Sequence, residues 1–236
     1  MSLYILNDHL WFPPVDEALK DGLLAVGGDL DTERLLLAYQ NGIFPWYDGD
    51  VPLWWCPDPR AVLFPNELRV SRSLAKSVRN RGYVTRLNTA FRDVIRACGS
   101  SELRPGGTWL SPEMRAAYLK LHRLGFAHSV ETWEGERLVG GLYGVALGGV
   151  FFGESMFSVE RDASKVALKR LCDELQARDF RMIDCQMATP HLLSLGAQLI
   201  PRPSFIEMLA GHVGDEASPQ RWLDATPVST DSDSAT

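Results

Sequence analysis

Gly140-Gly-Leu-Tyr-Gly-Val-Ala-Leu-Gly-Gly-Val-Phe-Phe-Gly-Glu-Ser-Met-Phe-Ser158 reads as two apolar strands turned back on each other at Gly148-Gly149, with one acidic side chain, Glu154, set inside the second. Ionised carboxylates are seldom buried without a partner, so this strand points to a pocket wall where Glu154 meets a cationic ligand group; an internal ion pair is the plainer alternative. Alternation places Glu154, Met156 and Ser158 on one side and Ser155 and Phe157 on the other. A second strand of like character, Phe180-Arg-Met-Ile-Asp-Cys-Gln-Met187, sends Asp184 and Gln186 to one face and Cys185 to the opposite one. If the two strands are neighbours, their shared face carries two carboxylates, an amide and a thioether, which suits an amine beside an apolar group. The alternative for Asp184 and Gln186 is that they fix the loop before Pro190.

Working outward, Phe126–Trp133 supplies a further strand, joined by a Glu134-Gly135 turn to Leu138–Leu147, with Val150–Ser158 next. A helix over 163–177 follows, then the Asp184 strand, a short helix opened by Thr189-Pro190, and a last strand over 198–201. Upstream, Thr89 is expected to cap a helix reaching Cys98, and Ser111-Pro112-Glu113 opens another that stops at Leu124-Gly125. The β-β-β-α-β order resembles the acyltransferase fold that includes the coenzyme A dependent N-acetyltransferases. The fold class is therefore α/β (α+β), an acetyltransferase-like mixed sheet flanked by helices. One departure matters: such enzymes hold the pyrophosphate with a glycine-rich loop before the helix, and here Val159-Glu-Arg-Asp-Ala-Ser-Lys165 contains no glycine. An acyl donor other than coenzyme A is favoured, such as an aminoacyl ester on RNA.

The first sixty residues are turn-rich and aromatic, with a helix capped by Asp31 or Thr32 and closed by Asn41-Gly42, then Phe44, Trp46, Tyr47, Trp54 and Trp55 among prolines that keep the backbone extended. We read 1–60 as a small module, 61–223 as the catalytic domain, and the small, polar stretch 224–236 as a disordered tail. Clustered tryptophans most often fill a small core; flat rings also stack nucleobases.

The 236 residues and 45% hydrophobic content allow a proper core, and the net charge of −6 argues against general adhesion to nucleic acid. Charge is segregated, however. From Leu68 to Arg92 the chain carries Arg69, Arg72, Lys76, Arg79, Arg81, Arg86 and Arg92 with no acidic residue. Ser71 caps a helix running to Asn80, on which Arg72, Lys76 and Arg79 recur along one face. A basic face on an acidic protein suits phosphates, although most charge runs are simply solvated. Cys56, Cys98, Cys172 and Cys185 lack metal-ligand or disulfide-framework spacing, so neither a metal nor a cofactor is expected. The N-terminus lacks a basic leader and no apolar run reaches membrane-spanning length, which leads us to expect a cytoplasmic protein without a membrane partner. His128 and His191 are read as structural.

Gly22-Leu-Leu-Ala-Val-Gly-Gly-Asp-Leu30, Gly42-Ile-Phe-Pro-Trp-Tyr47, Trp54-Trp-Cys-Pro-Asp-Pro-Arg60, Gly107-Thr-Trp109, Ala127-His-Ser-Val-Glu131, Gly153-Glu-Ser-Met-Phe-Ser158, Ala163-Ser-Lys165, Asp184-Cys-Gln186 and Ser194-Leu-Gly-Ala197, taken in that order, closely resemble the bacterial leucyl/phenylalanyl-tRNA–protein transferases. The resemblance implies transfer of leucine or phenylalanine, with methionine also admissible, from its charged tRNA to the α-amine of an N-terminal arginine or lysine, which marks the acceptor for N-degron degradation. It further implies that Gln186 holds the attacking amine, Asp184 polarises or orients it, and Glu154 holds the basic acceptor peptide. Met156, Leu142, Leu171 and Leu175 match the family's aminoacyl pocket, and Trp46 and Trp109 its aromatics near the terminal adenosine. Arg79 matches a basic tRNA-contact position, and Arg81 stands beside positions where relatives carry charge. A monomer is expected. Two other readings stay open: a coenzyme A dependent N-acyltransferase, and a non-catalytic binder of RNA or basic N-termini.

Overall fold

A computed structural model describes residues 3–100, 110–214, 218–220 and 222. Trp109 and the 224–236 segment lie outside the described residues, and so do the expectations attached to them.

The chain opens with β1 (Tyr4–Leu6), β2 (Leu23–Gly27), α1 (Thr32–Gln40), β3 (Phe44–Pro45) and β4 (Leu53–Trp55), whose strands form one sheet in the order β1-β2-β4-β3. Asp31 stands at the N-cap of α1, but its side chain makes no capping hydrogen bond. β5 (Arg60–Leu63), set off from the aromatic segment by Pro57-Asp-Pro59, leaves this sheet and enters a larger one. Then come α2 (Arg72–Asn80), β6 (Val84–Leu87), α3 (Phe91–Cys98), α4 (Pro112–Leu124), β7 (Ala127–Glu134), β8 (Arg137–Leu147) and β9 (Val150–Ser158). α5 (Ala163–Ala177), β10 (Met182–Gln186), α6 (Pro190–Ser194), β11 (Gln198–Ile200) and α7 (Arg202–Val213) complete the described chain. Among the described residues no helix is long and apolar enough to cross a membrane.

The large sheet runs β11-β5-β10-β9-β8-β7-β6. β9 and β10 are parallel neighbours joined through α5, and the other pairings are antiparallel. Local chemistry accounts for the helix limits: Ser71, Ser111 and Thr189 each accept a hydrogen bond from the backbone N–H three residues on. Thr89 does not cap α3. It donates its hydroxyl and backbone N–H to buried Glu131, whose carboxyl sits beside the start of that helix.

Two apolar clusters fill the two faces of the sheet. One packs α5 on Leu63, Leu142, Phe151 and Ile183; the other gathers α1, α3, α4 and α7 on Val145, Phe152, Phe157 and Met182. Glycine permits the closest approaches: a Cβ at Gly140 would stand 2.5 Å from Ala163 Cβ, so the start of α5 lies directly on β8. A Cβ at Gly144 would stand 2.2 Å from the Phe152 carbonyl oxygen, beside a bulge in the β8–β9 ladder.

Candidate active site

That bulge decides where Glu154 points. Tyr143 pairs with Ser155 and Gly144 with Gly153, which leaves Glu154 as the extra residue. Parity therefore breaks. Phe152 and Phe157, five apart, belong to one face, while Phe151 and Met156 belong to the other. Glu154 consequently does not share its side with Met156, as alternation predicts, but turns toward Tyr39 of α1 and Tyr118 of α4. The Tyr39 hydroxyl donates to Glu154 Oε1 at 2.8 Å and the Tyr118 hydroxyl to Oε2 at 2.6 Å, with 2.7 Å between the two hydroxyl oxygens. Gln186 Nε2 also donates to Oε1, at 2.9 Å. No cation is paired with this carboxyl among the described residues, so the internal ion-pair alternative does not hold. Its pKa is raised to about 7, first because burial penalises the charge; bonds from Tyr118 and Tyr39 oppose the rise and the Asp184 charge adds to it.

Asp184 stands behind the site rather than in it. Fully buried, it receives Arg60 Nε on Oδ1 at 2.8 Å and Nη2 on Oδ2 at 2.7 Å, a bidentate pair. The Arg60 guanidinium lies between the rings of Phe44 and Phe205, 4.8 and 4.6 Å from their centroids. Oδ1 of Asp184 also accepts the Gln186 backbone N–H at 2.9 Å and so holds Gln186 at φ 62°, a left-handed conformation uncommon outside glycine. A second bulge, with Cys185 unpaired between Asp184 and Gln186, lets Gln186 reach Glu154.

In front lies a cavity of about 320 Å³. Its apolar part is lined by Leu142 and Met156, cross-strand partners, together with Leu168 and Leu171 of α5, Ile183 and Cys185. Glu154, Gln186, Thr189 and His191 supply polar wall, and Trp46, 37% exposed, lies at the same cavity with its ring edge-on to Trp55. Leu175 is not a lining residue: one turn beyond Leu171 it is completely buried in the cluster beneath, and Leu168 takes the lining place. Burial pushes the Cys185 thiol up, which leaves it a poor nucleophile. His128, pushed down to about 3 by burial and stacked on Trp222, is a neutral packing residue away from this cavity.

Arg72, Lys76 and Arg79 are exposed on α2 and have no ion-pair partner among the described residues; Arg81, also exposed, donates to the Tyr83 hydroxyl. The opposite face of α2 is seated by Leu74, Val78 and Ser77, the last donating to Asp162 ahead of α5. The cavity wall and the basic helix thus share α5 as a support. Sequence reasoning missed Tyr39, Tyr118 and Arg60. The available signal was that a half-buried carboxyl needs donors and a fully buried one needs a cation.

A family model described as leucyl/phenylalanyl-tRNA protein transferase matches residues 62–210, and one for the N-terminal domain of the same proteins matches 28–58. Proteins named leucyl/phenylalanyl-tRNA–protein transferase are 58% identical over 214 residues in Aromatoleum aromaticum (89% of this chain, 90% of that one) and 54% identical over 229 residues in Azoarcus sp. (96% and 97%). One from Thiobacillus denitrificans is 57% identical over 215 residues, covering 90% and 94%. Overlap with solved structures is looser: L-PGS from Bacillus licheniformis has a TM-score of 0.39 at 12% identity, over 70% of this chain and 54% of that one. From the two matching family models and relatives of this identity along nearly its whole length, the chain belongs to the leucyl/phenylalanyl-tRNA–protein transferase family.

Proposed function

We propose that this chain moves leucine or phenylalanine from the 3′ ester of its charged tRNA to the α-amino group of proteins beginning with arginine or lysine, in the cytoplasm and as a monomer, marking them for N-degron degradation. The observation that carries this reading is an apolar hole of side-chain size whose wall also holds a carboxyl and a carboxamide, in a chain of this family. The donor ester is already activated. The reaction therefore needs alignment, loss of a proton from the acceptor amine and support for the tetrahedral oxyanion, with no covalent enzyme intermediate.

In this scheme the esterified side chain enters between Leu142, Met156, Leu168 and Leu171. Methionine is admitted as well, because an unbranched side chain adapts to such a hole. Gln186 turns its amide N–H to Glu154, which leaves its carbonyl to receive an N–H of the attacking amine. Asp184 is a positioning residue: held by Arg60, it holds Gln186. Glu154 supplies the acidic wall for the basic acceptor, and Trp46 a surface for the terminal adenine. Arg72, Lys76, Arg79 and Arg81 meet tRNA phosphates, which would give affinity without base readout. We place the junction between the small module and the catalytic domain at residue 60, where the chain passes from the first sheet to the second.

A coenzyme A donor fits less well. At the start of α5 the Ala163 and Ser164 N–H groups already donate to the Glu160 carbonyl and the Ser158 hydroxyl, and the Asp162 carboxylate just before them adds negative charge where a pyrophosphate would need donors. The test is incubation with leucyl-tRNA and a peptide beginning with arginine, read by mass spectrometry. A peptide heavier by one leucine residue at its N-terminus is expected. Binding of both substrates without product would leave only a passive binder, and acylation from acetyl-coenzyme A in place of leucyl-tRNA would favour the other enzyme.

A further inference from the structure

We propose that Glu154, closed into a hydrogen-bonded ring with Tyr39 and Tyr118, is the base that takes the proton from the acceptor ammonium; this rests on the transfer reaction proposed above. Three short oxygen–oxygen contacts close the ring: Tyr39 Oη to Glu154 Oε1 at 2.8 Å, Tyr118 Oη to Oε2 at 2.6 Å, and Tyr39 Oη to Tyr118 Oη at 2.7 Å. Two phenols bring two protons. When Glu154 is ionised both protons go to the carboxylate, and the 2.7 Å contact between the hydroxyl oxygens holds none. One added proton completes the circuit: Oε2–H donates to Tyr118, Tyr118 to Tyr39, and Tyr39 to Oε1. Gln186 Nε2 serves Oε1 in either state.

The surroundings work in the same direction. Burial lifts the carboxyl toward the neutral form, to about 7, well matched to an amine whose ordinary pKa is about 7.7 to 8.0. The phenols are pushed well above their ordinary value by burial and by the charge on Glu154, so they relay and donate rather than ionise. His191 is the other base lining the cavity, and it stands outside the hydrogen-bonded ring around Glu154. Asp184 and Arg60 answer one another as a buried pair, Gln186 carries no charge, and Tyr143 packs edge-on to Tyr118 with ring centroids 5.4 Å apart.

The acceptor ammonium gives one proton to Glu154, and its freed lone pair forms the new C–N bond at the ester carbonyl. The bond from that carbon to the ribose oxygen then breaks, and the second nitrogen proton passes to the departing oxygen. The third proton stays as the amide N–H, and Glu154 returns its own to solvent.

Two measurements test the assignment. Titration of carbon-13 labelled glutamate in the substrate-free wild-type chain should show one carboxyl, absent in Glu154→Gln, with a midpoint near 7. The glutamine amide mimics the neutral carboxyl, donating to Tyr118 and accepting from Tyr39, so this variant should keep the ring. At saturating peptide and pH 7 its kcat should fall about tenfold, because only about a tenth of an amine with pKa about 7.7 to 8.0 is already unprotonated there. Its rate should then climb about tenfold per pH unit, up to the amine pKa, as the substrate loses its own proton. A Glu154 midpoint in the ordinary carboxylate range, an unchanged kcat at pH 7, or a loss confined to KM would each overturn the proposal. Should Glu154→Gln not fold, the titration of Glu154 in the wild-type chain, assigned with Glu154→Asp, decides alone. Absence of transfer by the wild-type chain would instead remove the reaction on which the proposal rests.

Discussion

At the scale of single residues, the two carboxyls that stand out in the strands have opposite fates. Glu154 reaches the cavity, whereas Asp184 is sealed behind it. That difference separates two substitutions that look equivalent in the sequence. Asp184→Ala leaves Arg60 buried and uncompensated, so it should cost about 3 to 5 kcal/mol in stability as well as transfer. Gln186→Ala leaves that pair intact; it should lower transfer by about 10²-fold through misplacement of the amine, with stability changed by less than about 1 kcal/mol. Urea unfolding beside the leucyl transfer assay checks both, and a fully stable Asp184→Ala protein would contradict the positioning role. That Glu154, Asp184 and Gln186 stand together was legible, because polar side chains in apolar strands are conspicuous. Their orientations were not legible, because a bulge is a property of strand pairing, and alternation within one strand carries no record of it.

At the scale of elements, what could be read depended on whether the signals were local. α2, α4, α5 and α6 lie over the expected segments, since a capping hydroxyl, a first-turn proline or an apolar stripe marks each one. β5 has four buried residues headed by an arginine, and its place between β11 and β10 rests on contacts far away in the chain. α7 starts after Pro201 with no side-chain cap, and Pro203 in its first turn is a local mark that the sequence reading passed over. The basic face of α2 was legible by charge alone, and its exposure makes it testable as a unit. Replacing Lys76 and Arg79 by glutamate should weaken tRNA binding and reduce the slope of log affinity against log salt by about 0.9 for each phosphate that is no longer neutralised. Transfer from a short aminoacyl-adenosine donor, which carries no tRNA body, should stay within about twofold of wild type. Equal losses with both donors would show that α2 acts on the cavity and not on the tRNA backbone. Within α5, Leu171→Ala enlarges the hole at its wall while Leu175→Ala opens a void beneath it. The first should shift the leucine to phenylalanine ratio of kcat/KM by about 1 to 3 kcal/mol, and the second should cost about 2 to 5 kcal/mol of stability with that ratio little changed. Competition between the two charged tRNAs, with parallel unfolding curves, distinguishes them.

At the scale of the whole molecule, the large sheet is unusual in carrying acids inside its central strands, and the helices on one face are tied to those acids. Tyr39 and Tyr118 bring α1 and α4 to Glu154, Arg60 brings β5 to Asp184, and Thr89 brings the start of α3 to Glu131. Folding therefore buries Glu154 and Glu131 where the neutral form is favoured, and stability must depend on pH. Glu131 is the cleanest case, being completely buried and placed outside the cavity. Burial raises its pKa from 4.5 to about 7, against bonds from Ser129 and Thr89 that favour the charge. Between those values the folded chain holds a proton that the unfolded chain has released, so this contribution is complete below about pH 4.5 and is lost as pH rises through 7. The loss is on the order of 3 kcal/mol. His128, lowered to about 3, acts in the opposite sense between about 3 and 6.5, so the wild-type curve alone is a mixture. The informative quantity is the stability of wild type minus that of Glu131→Gln, which keeps the shape and cannot ionise. That difference should fall by a few kcal/mol from pH 4.5 to 7.5 in urea unfolding. A flat difference for Glu131 would mean that its hydrogen bonds offset its burial, and the acid would then hold the start of α3 as a carboxylate.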